Sequence, residues 1–259
     1  VLAPTVAASA LLGLLVGSFL NVVVHRVPAG LSVVHPPSAC PGCDARIAAY
    51  DNVPVLSWLV LRGRCRRCRT GISVRYPLVE LGTACLFAVV AWRLGASWEL
   101  PAYLWLAGVA VPLALIDLDV RRLPDAIVLP AYPVSAALLA LASEGTGEWG
   151  ALLRAGAGGL LLFALYLLLA VAQPGGMGFG DVKLAGVLGL HLGWLGWGTL
   201  VVGGFLGFLL GGAVGLALMA AGRAGRRSAI PFGPSMLAGA LLAVLCGEAL
   251  AGLYVDLLL

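Results

Sequence analysis

Charge is concentrated in a few gaps of this chain, and the stretches between them are long and apolar. Eight apolar segments can be marked, near residues 6–24, 77–92, 102–116, 126–142, 151–172, 182–195, 199–221 and 232–254. Segments of this length and composition are solvated by lipid. A backbone inside a bilayer must satisfy its own hydrogen bonds, and α-helices do so within one segment. Only 11% of the 259 residues are charged, where a soluble domain has about a quarter. The expectation is an all-α polytopic membrane protein with about eight transmembrane helices. Residues 1–10 lack the basic region of a cleavable signal peptide, so the first segment is read as a retained helix. Several segments are shorter than the ~20 residues of a straight span, the one that begins at Val182 among them.

The gaps alternate in charge. Those at 25–76, 117–125, 173–183 and 222–231 hold fourteen of the sixteen Lys and Arg residues. The others hold Arg93 and Arg154 beside Glu99, Glu144 and Glu148. Basic loops stay on the cytoplasmic side. Residues 25–76, Asp117 and Asp181 are therefore expected to face the cytoplasm, with both termini outside. The net charge of +4 follows from this topology and does not indicate nucleic-acid binding. Two glycine patterns predict close helix packing. One is Gly13-Leu-Leu-Val-Gly17, and the other is Gly203, Gly207, Gly211 and Gly215 on one helix face. Asn21 is expected to bond across to a neighbouring helix.

Residues 25–76 differ in character from the rest. They carry Cys40-Pro-Gly-Cys43 and Cys65-Arg-Arg-Cys68, eight arginines, and only Asp44 and Asp51 as acids. Each CxxC turn supplies two thiolates, and two such turns complete a tetrahedral sulfur site for Zn²⁺. Four protein ligands leave no open position, so the metal is read as structural. It would also supply the folding energy that so small a core lacks. Paired disulfides are the alternative, and a cytoplasmic location disfavours them. The arginines fix topology or meet anionic lipid headgroups. Cys85 and Cys246 lie in apolar segments and are read as packing residues.

Two acids have no evident structural duty. Asp117 ends an apolar run, whereas Asp119 has arginines nearby and Asp125 follows Pro124 as a helix N-cap would. Asp181 lies in Gly176-Met-Gly-Phe-Gly-Asp-Val-Lys183, where Gly178 and Gly180 permit unusual backbone angles and close approach. Lys183 is the only lysine in the chain. Two carboxylates brought together do not both ionise easily, so one keeps a proton. The ionised member can activate a water while the protonated member polarises a peptide carbonyl, as in aspartic proteases. A proton relay in a proton-coupled transporter with a structural zinc domain, or two simple helix caps, would also use acids at these positions.

The combined pattern resembles the type IV prepilin peptidases, membrane aspartyl proteases of the GxGD type. The shared features are Gly17-Ser-Phe-Leu-Asn-Val22, the double CxxC, Arg75-Tyr-Pro-Leu-Val-Glu80, Asp117 with Leu123-Pro124-Asp125, and the run ending Gly-Phe-Gly-Asp-Val-Lys-Leu184. Presenilin-like intramembrane proteases share the GxGD element but lack the cysteine region. The resemblance implies Asp117 and Asp181 as the catalytic pair, with Gly178, Gly180 and Lys183 in the active-site loop. It implies prepilin and pseudopilin precursors as partners, cut ahead of their apolar helix within the bacterial inner membrane. It also implies N-methylation with S-adenosylmethionine, for which Gly63, Arg64 and Glu80 are the candidate residues. No glycine-rich nucleotide turn announces that cofactor. The expected domains are a first transmembrane helix at 1–24, a cytoplasmic four-cysteine zinc-binding domain at 25–76, and a transmembrane peptidase domain at 77–259.

Overall fold

The computed structural model describes residues 1–173, 176–223, 225, 228 and 230–258. Pro174 and Gly175 of the glycine run, and Arg226 and Arg227 of the basic gap at 222–231, lie outside the described residues. The described elements are all helical, with two isolated β-bridges between them. Helices occupy all eight places where apolar segments were expected. Seven are long and apolar enough to cross a membrane. The exception is the 17-residue helix Phe179–Leu195.

The chain divides into two compact units, Val1–Leu100 and Pro101–Leu259. The first unit contains α1 (Leu2–Arg26), a 3-10 turn at Ala49–Asn52, the short α2 (Leu56–Val60) and α3 (Arg75–Leu94). α1 and α3 pack antiparallel through the glycines of the GxxxG pattern. A Cβ on Gly13 would lie 2.7 Å from the Ala84 Cα, and one on Gly17 would lie 2.8 Å from the Glu80 Cα. Backbones this close leave no room for any larger side chain. The Asn21 amide donates to the Tyr76 carbonyl across the same interface (3.2 Å), which is the interhelical bond the sequence led us to expect. Cys85 was read as a packing residue but is exposed on α3.

The second unit contains α4 (Leu100–Val120), α5 (Asp125–Thr146), α6 (Trp149–Ala172), α7 (Phe179–Leu195), α8 (Trp197–Ala220) and α9 (Gly233–Leu258). α7 is its central helix and packs against α5, α6, α8 and α9. Nearly every residue of α7 from Val182 to Trp194 is buried. That explains why it needs neither full spanning length nor a polar face. Its closest partner is α6, where a Cβ on Gly158 would meet the Gly189 carbonyl at 2.7 Å. Arg154 of α6 donates to the carbonyls of Gly193 (2.8 Å) and Trp194 (2.6 Å), neutralising the C-terminal end of α7. The glycine stripe of α8 serves packing, as expected. Cβ atoms on Gly203, Gly207 and Gly211 would meet Ala243, Met236 and Phe232 respectively.

Candidate functional site

The acids of interest sit at helix ends in the second unit. Asp117 occupies the last turn of α4 and is 5% exposed. Its Oδ2 accepts a hydrogen bond from the Gly233 N–H at 3.0 Å, from the first residue of α9. A helix N-terminus presents unpaired N–H groups and partial positive charge, so it suits a carboxylate buried at that point. Gly233 must lack a side chain for this contact, because a Cβ there would stand 2.8 Å from the Asp117 Oδ2.

Asp181 lies in the first turn of α7. Its carboxylate accepts from the Gly178 N–H (3.1 Å), and its own N–H donates to the Gly178 carbonyl (3.0 Å). The stretch Phe179–Asp181 is thus the start of a helix rather than a free loop. Gly178 has φ −77° and ψ 145°, and neither Gly178 nor Gly180 has a positive φ. The expected unusual backbone angles are therefore not found at these positions. Gly180 provides close approach instead, since a Cβ there would lie 3.0 Å from the Leu123 Cβ.

Leu123 also reaches the third helix end. Its Cδ2 would be 3.1 Å from a Cβ on Gly233. One leucine of the α4–α5 connection is therefore wedged between the turn that carries Asp181 and the turn that holds Asp117. Tyr166, Phe208 and Phe232 form an aromatic cluster with ring centroids 5.1–6.3 Å apart, and Phe232 leads directly into Gly233.

Lys183 lies within α7 and bonds both oxygens of Asp125 (2.6 and 2.8 Å) while covering the Phe179 ring. Asp125 is the first residue of α5, a helix whose N-terminus has no side-chain cap bond. Its expected capping duty is replaced by this ion pair, which ties the start of α5 to the start of α7. Gly233 was missed from sequence, and Leu123 was noted there only as part of the Leu123-Pro124-Asp125 run. The run Pro231-Phe-Gly-Pro234 ahead of an apolar segment was the available signal.

The first unit brings its four cysteines together. The sulfurs of Cys40, Cys43, Cys65 and Cys68 lie within 4.8 Å of one another, and none is in a disulfide. Cys40 Sγ and Cys68 Sγ are 3.6 Å apart, close to the ~3.8 Å edge of a tetrahedron built on ~2.3 Å metal–sulfur bonds. The two turns repeat each other. Cys40 N–H donates to Ala45 C=O and Cys65 N–H to Thr70 C=O, both at 2.9 Å. Asp44 and Arg69, each following a second cysteine, share a positive φ of 51° and 60°. Bonds from the Thr70 hydroxyl and N–H bring the Cys68 thiol down to about 6. The Ala45 N–H favours a thiolate at Cys43, yet the neighbouring thiols, Cys68 foremost, push it up to about 11. Four thiolates this close need a cation between them, and this donor set can hold a metal ion.

The methyl-transfer candidates lie in the same unit. Gly63 (φ 66°) faces the Trp58 indole, whose carbon would be 2.8 Å from a Cβ there. Arg64 is exposed. The buried Glu80 carboxylate accepts from the Val55 N–H at 2.6 Å.

These features define a polytopic α-helical membrane protein with two acid-bearing helix ends in one unit and a four-thiol cluster able to hold a metal ion in the other. Within that class the chain belongs to the type IV leader peptidase family. The family of that description matches residues 104–216, and the Bacterial Peptidase A24 N-terminal domain matches residues 11–94. The Prepilin leader peptidase/N-methyltransferase of Pseudomonas putida is 43% identical over 92% of this chain and 89% of its own length. Proteins of the same name from Stutzerimonas stutzeri (36% identical, 95% of this chain and 92% of that one) and Bacillus subtilis (35%, 95% and 96%) are similar to it throughout. No solved structure matches the chain significantly.

Proposed function

We propose that this protein is a membrane aspartyl endopeptidase. It removes the short basic leader from type IV prepilins and type II secretion pseudopilins, and it N-methylates the residue so exposed. The observation that carries the proposal is that Leu123 meets both the turn that bears Asp181, at Gly180, and the turn that holds Asp117, at Gly233. Similarity to the leader peptidase/N-methyltransferases along nearly the whole chain favours this reading over a proton-coupled transporter or a presenilin-like protease.

In the proposed reaction the ionised member of the pair takes a proton from water as the oxygen attacks the scissile carbonyl carbon. The protonated member donates to the carbonyl oxygen. The tetrahedral diol then collapses, the C–N bond breaks, and the departing amine gains a proton. The arginine distribution supports cytoplasmic placement of the acids and the cysteine turns. A basic leader would be drawn to a carboxylate site there.

The four-thiol site is proposed to hold structural Zn²⁺, which closed four-cysteine coordination and sulfur spacing suit. S-adenosylmethionine, when bound, would supply an electrophilic methyl group to the new amine. Gly63, Arg64 and Glu80 are proposed to serve that step. Trp58 covers Gly63 and the Val55 N–H engages Glu80, so these two would act by holding the local backbone, while the exposed Arg64 would be free to meet the donor.

The test is mass spectrometry of a prepilin co-expressed with the wild-type chain, with Asp117→Asn or with Asp181→Asn. A product cut ahead of the apolar helix is expected for the wild type alone. Wild-type cleavage by either variant would remove the dyad, and a cut within the apolar helix would favour the presenilin-like reading.

A further inference from the structure

The region between α1 and α3 carries apolar residues that its polar composition does not explain. On the short α2, Leu56, Leu59 and Val60 share one side by their i, i+3, i+4 spacing, and they are 59%, 58% and 69% exposed. The opposite side is used for packing. The Trp58 indole N–H donates to the Ile72 carbonyl (3.1 Å) and its ring lies beneath Gly63. α2 is thus held in a fixed orientation with its aliphatic side outward.

Two observations show how deep this segment sits. Val55 has φ 60° and ψ −50°, a costly conformation for a β-branched residue. It is held there by the bond from its N–H to Glu80 Oε2. Glu80 lies five residues into α3 from Arg75, about 7.5 Å along a helix rising ~1.5 Å per residue, and faces Gly17 of α1. The corner that starts α2 is therefore pinned below the end of a membrane-spanning helix. Independently, a cleft of about 310 Å³ is lined on one side by α1 from Leu15 to Arg26 and on the other by Val33, Val34, residues 36–38, Asn52 and Pro54. The connecting chain thus runs alongside α1 for about 16 Å inward of Arg26. Immediately after α2, Arg62 and Arg64 are exposed, placed to meet phosphate headgroups above an inserted apolar edge.

We infer that residues 53–61 form a membrane-inserted finger, with the aliphatic side of α2 resting in the acyl chains of the protein's own bilayer and the following arginines at the headgroups. The zinc-site region is then a half-embedded structure rather than a polar domain standing clear of the membrane.

The inference can be tested with an environment-sensitive fluorescent amino acid encoded singly at Leu59, Val60, Leu78 or Arg67 in the full chain. The protein is placed in vesicles of phosphatidylglycerol and phosphatidylethanolamine. Leu78, exposed on α3, is the lipid reference and Arg67 the water reference. Probes at Leu59 and Val60 are expected to be quenched by acyl-brominated lipid and shielded from iodide, as at Leu78, with the opposite pattern at Arg67. Iodide quenching at Leu59 and Val60 equal to that at Arg67 would overturn the inference. So would shielding from both quenchers, which means protein covers the face. Iodide access that disappears only when prepilin is added would also overturn it and reassign the face to substrate. Each probe replaces an already exposed side chain, and quenching at Leu78 reports insertion in the same preparation.

Discussion

In the Val1–Leu100 unit, four thiols converge within 4.8 Å from two turns that repeat each other's hydrogen bonds and backbone angles. In the Pro101–Leu259 unit, Asp117 and Asp181 come from different helices, and a third helix supplies the Gly233 N–H. The thiol site is built locally, and each half is specified within a few consecutive residues. The acid site is built globally and exists only once α4, α7 and α9 have packed. The first should therefore depend on its metal, and the second on the fit between helix ends.

The sharpest break in this comparison is removal of the metal. Structural Zn²⁺ in small Cys sites contributes on the order of 10 kcal/mol to folding. Cys65→Ser is expected to abolish metal binding and expose residues 38–72 to proteolysis, read by metal analysis and limited digestion. Asp117→Asn and Asp181→Asn should leave metal content unchanged while lowering prepilin cleavage about 10³-fold or more. If the aspartate variants lost metal as well, the two sites would not be built separately.

A smaller substitution probes the fit itself. Gly233→Ala places a Cβ 2.8 Å from the Asp117 Oδ2 and 3.1 Å from the Leu123 Cδ2. Displacing a reacting group by about 1 Å costs roughly 10²-fold in rate. We expect a fall of that order in kcat with prepilin KM little changed. Leu123→Ala should partly restore the rate of Gly233→Ala by giving the α9 turn room to withdraw. Additive losses in the double variant would mean that Leu123 does not set the spacing.

The same contrast explains what could be read in advance. The cysteine site was legible because CxxC turns carry their geometry in a few consecutive residues. The α1–α3 interface was legible because Gly13 and Gly17 stand four apart, and Asp117 and Asp181 because charge at the edge of an apolar run is conspicuous. Gly233 carries no charge and meets Asp117 across 116 positions of sequence, and Leu123, though part of the recognised run with Pro124 and Asp125, gives no sign of the two turns it touches. Asp125 was misread because a local cap and a distant lysine partner look alike from sequence, and only packing brings Lys183 to it. The glycines around Asp181 have ordinary φ angles, since their use is to admit Leu123 and sequence does not name that neighbour. Val55 was not singled out because its strain is held by Glu80, 25 residues away.

The smallest effect concerns ion pairs, which each unit uses in comparable form. Lys183–Asp125 joins two helices, while Arg66 bonds both oxygens of Asp51 (2.6–3.0 Å) within the cysteine region. The Arg66 hydrogen bonds hold the Asp51 carboxyl below its usual range. A carboxyl whose folded value is depressed adds stability above its unfolded value, near ~3.9, and loses it as pH falls through the lower folded value. Asp51→Asn should therefore lower the melting temperature slightly at neutral pH, by the modest amount typical of a solvent-screened pair. The difference from wild type should shrink below about pH 4 and vanish in acid. Metal bound at the four thiols would confound this directly, because protons also compete for the thiolates. The comparison must be made between variants at equal metal content. A gap that persisted unchanged into acid would show that Asp51 acts through packing rather than charge.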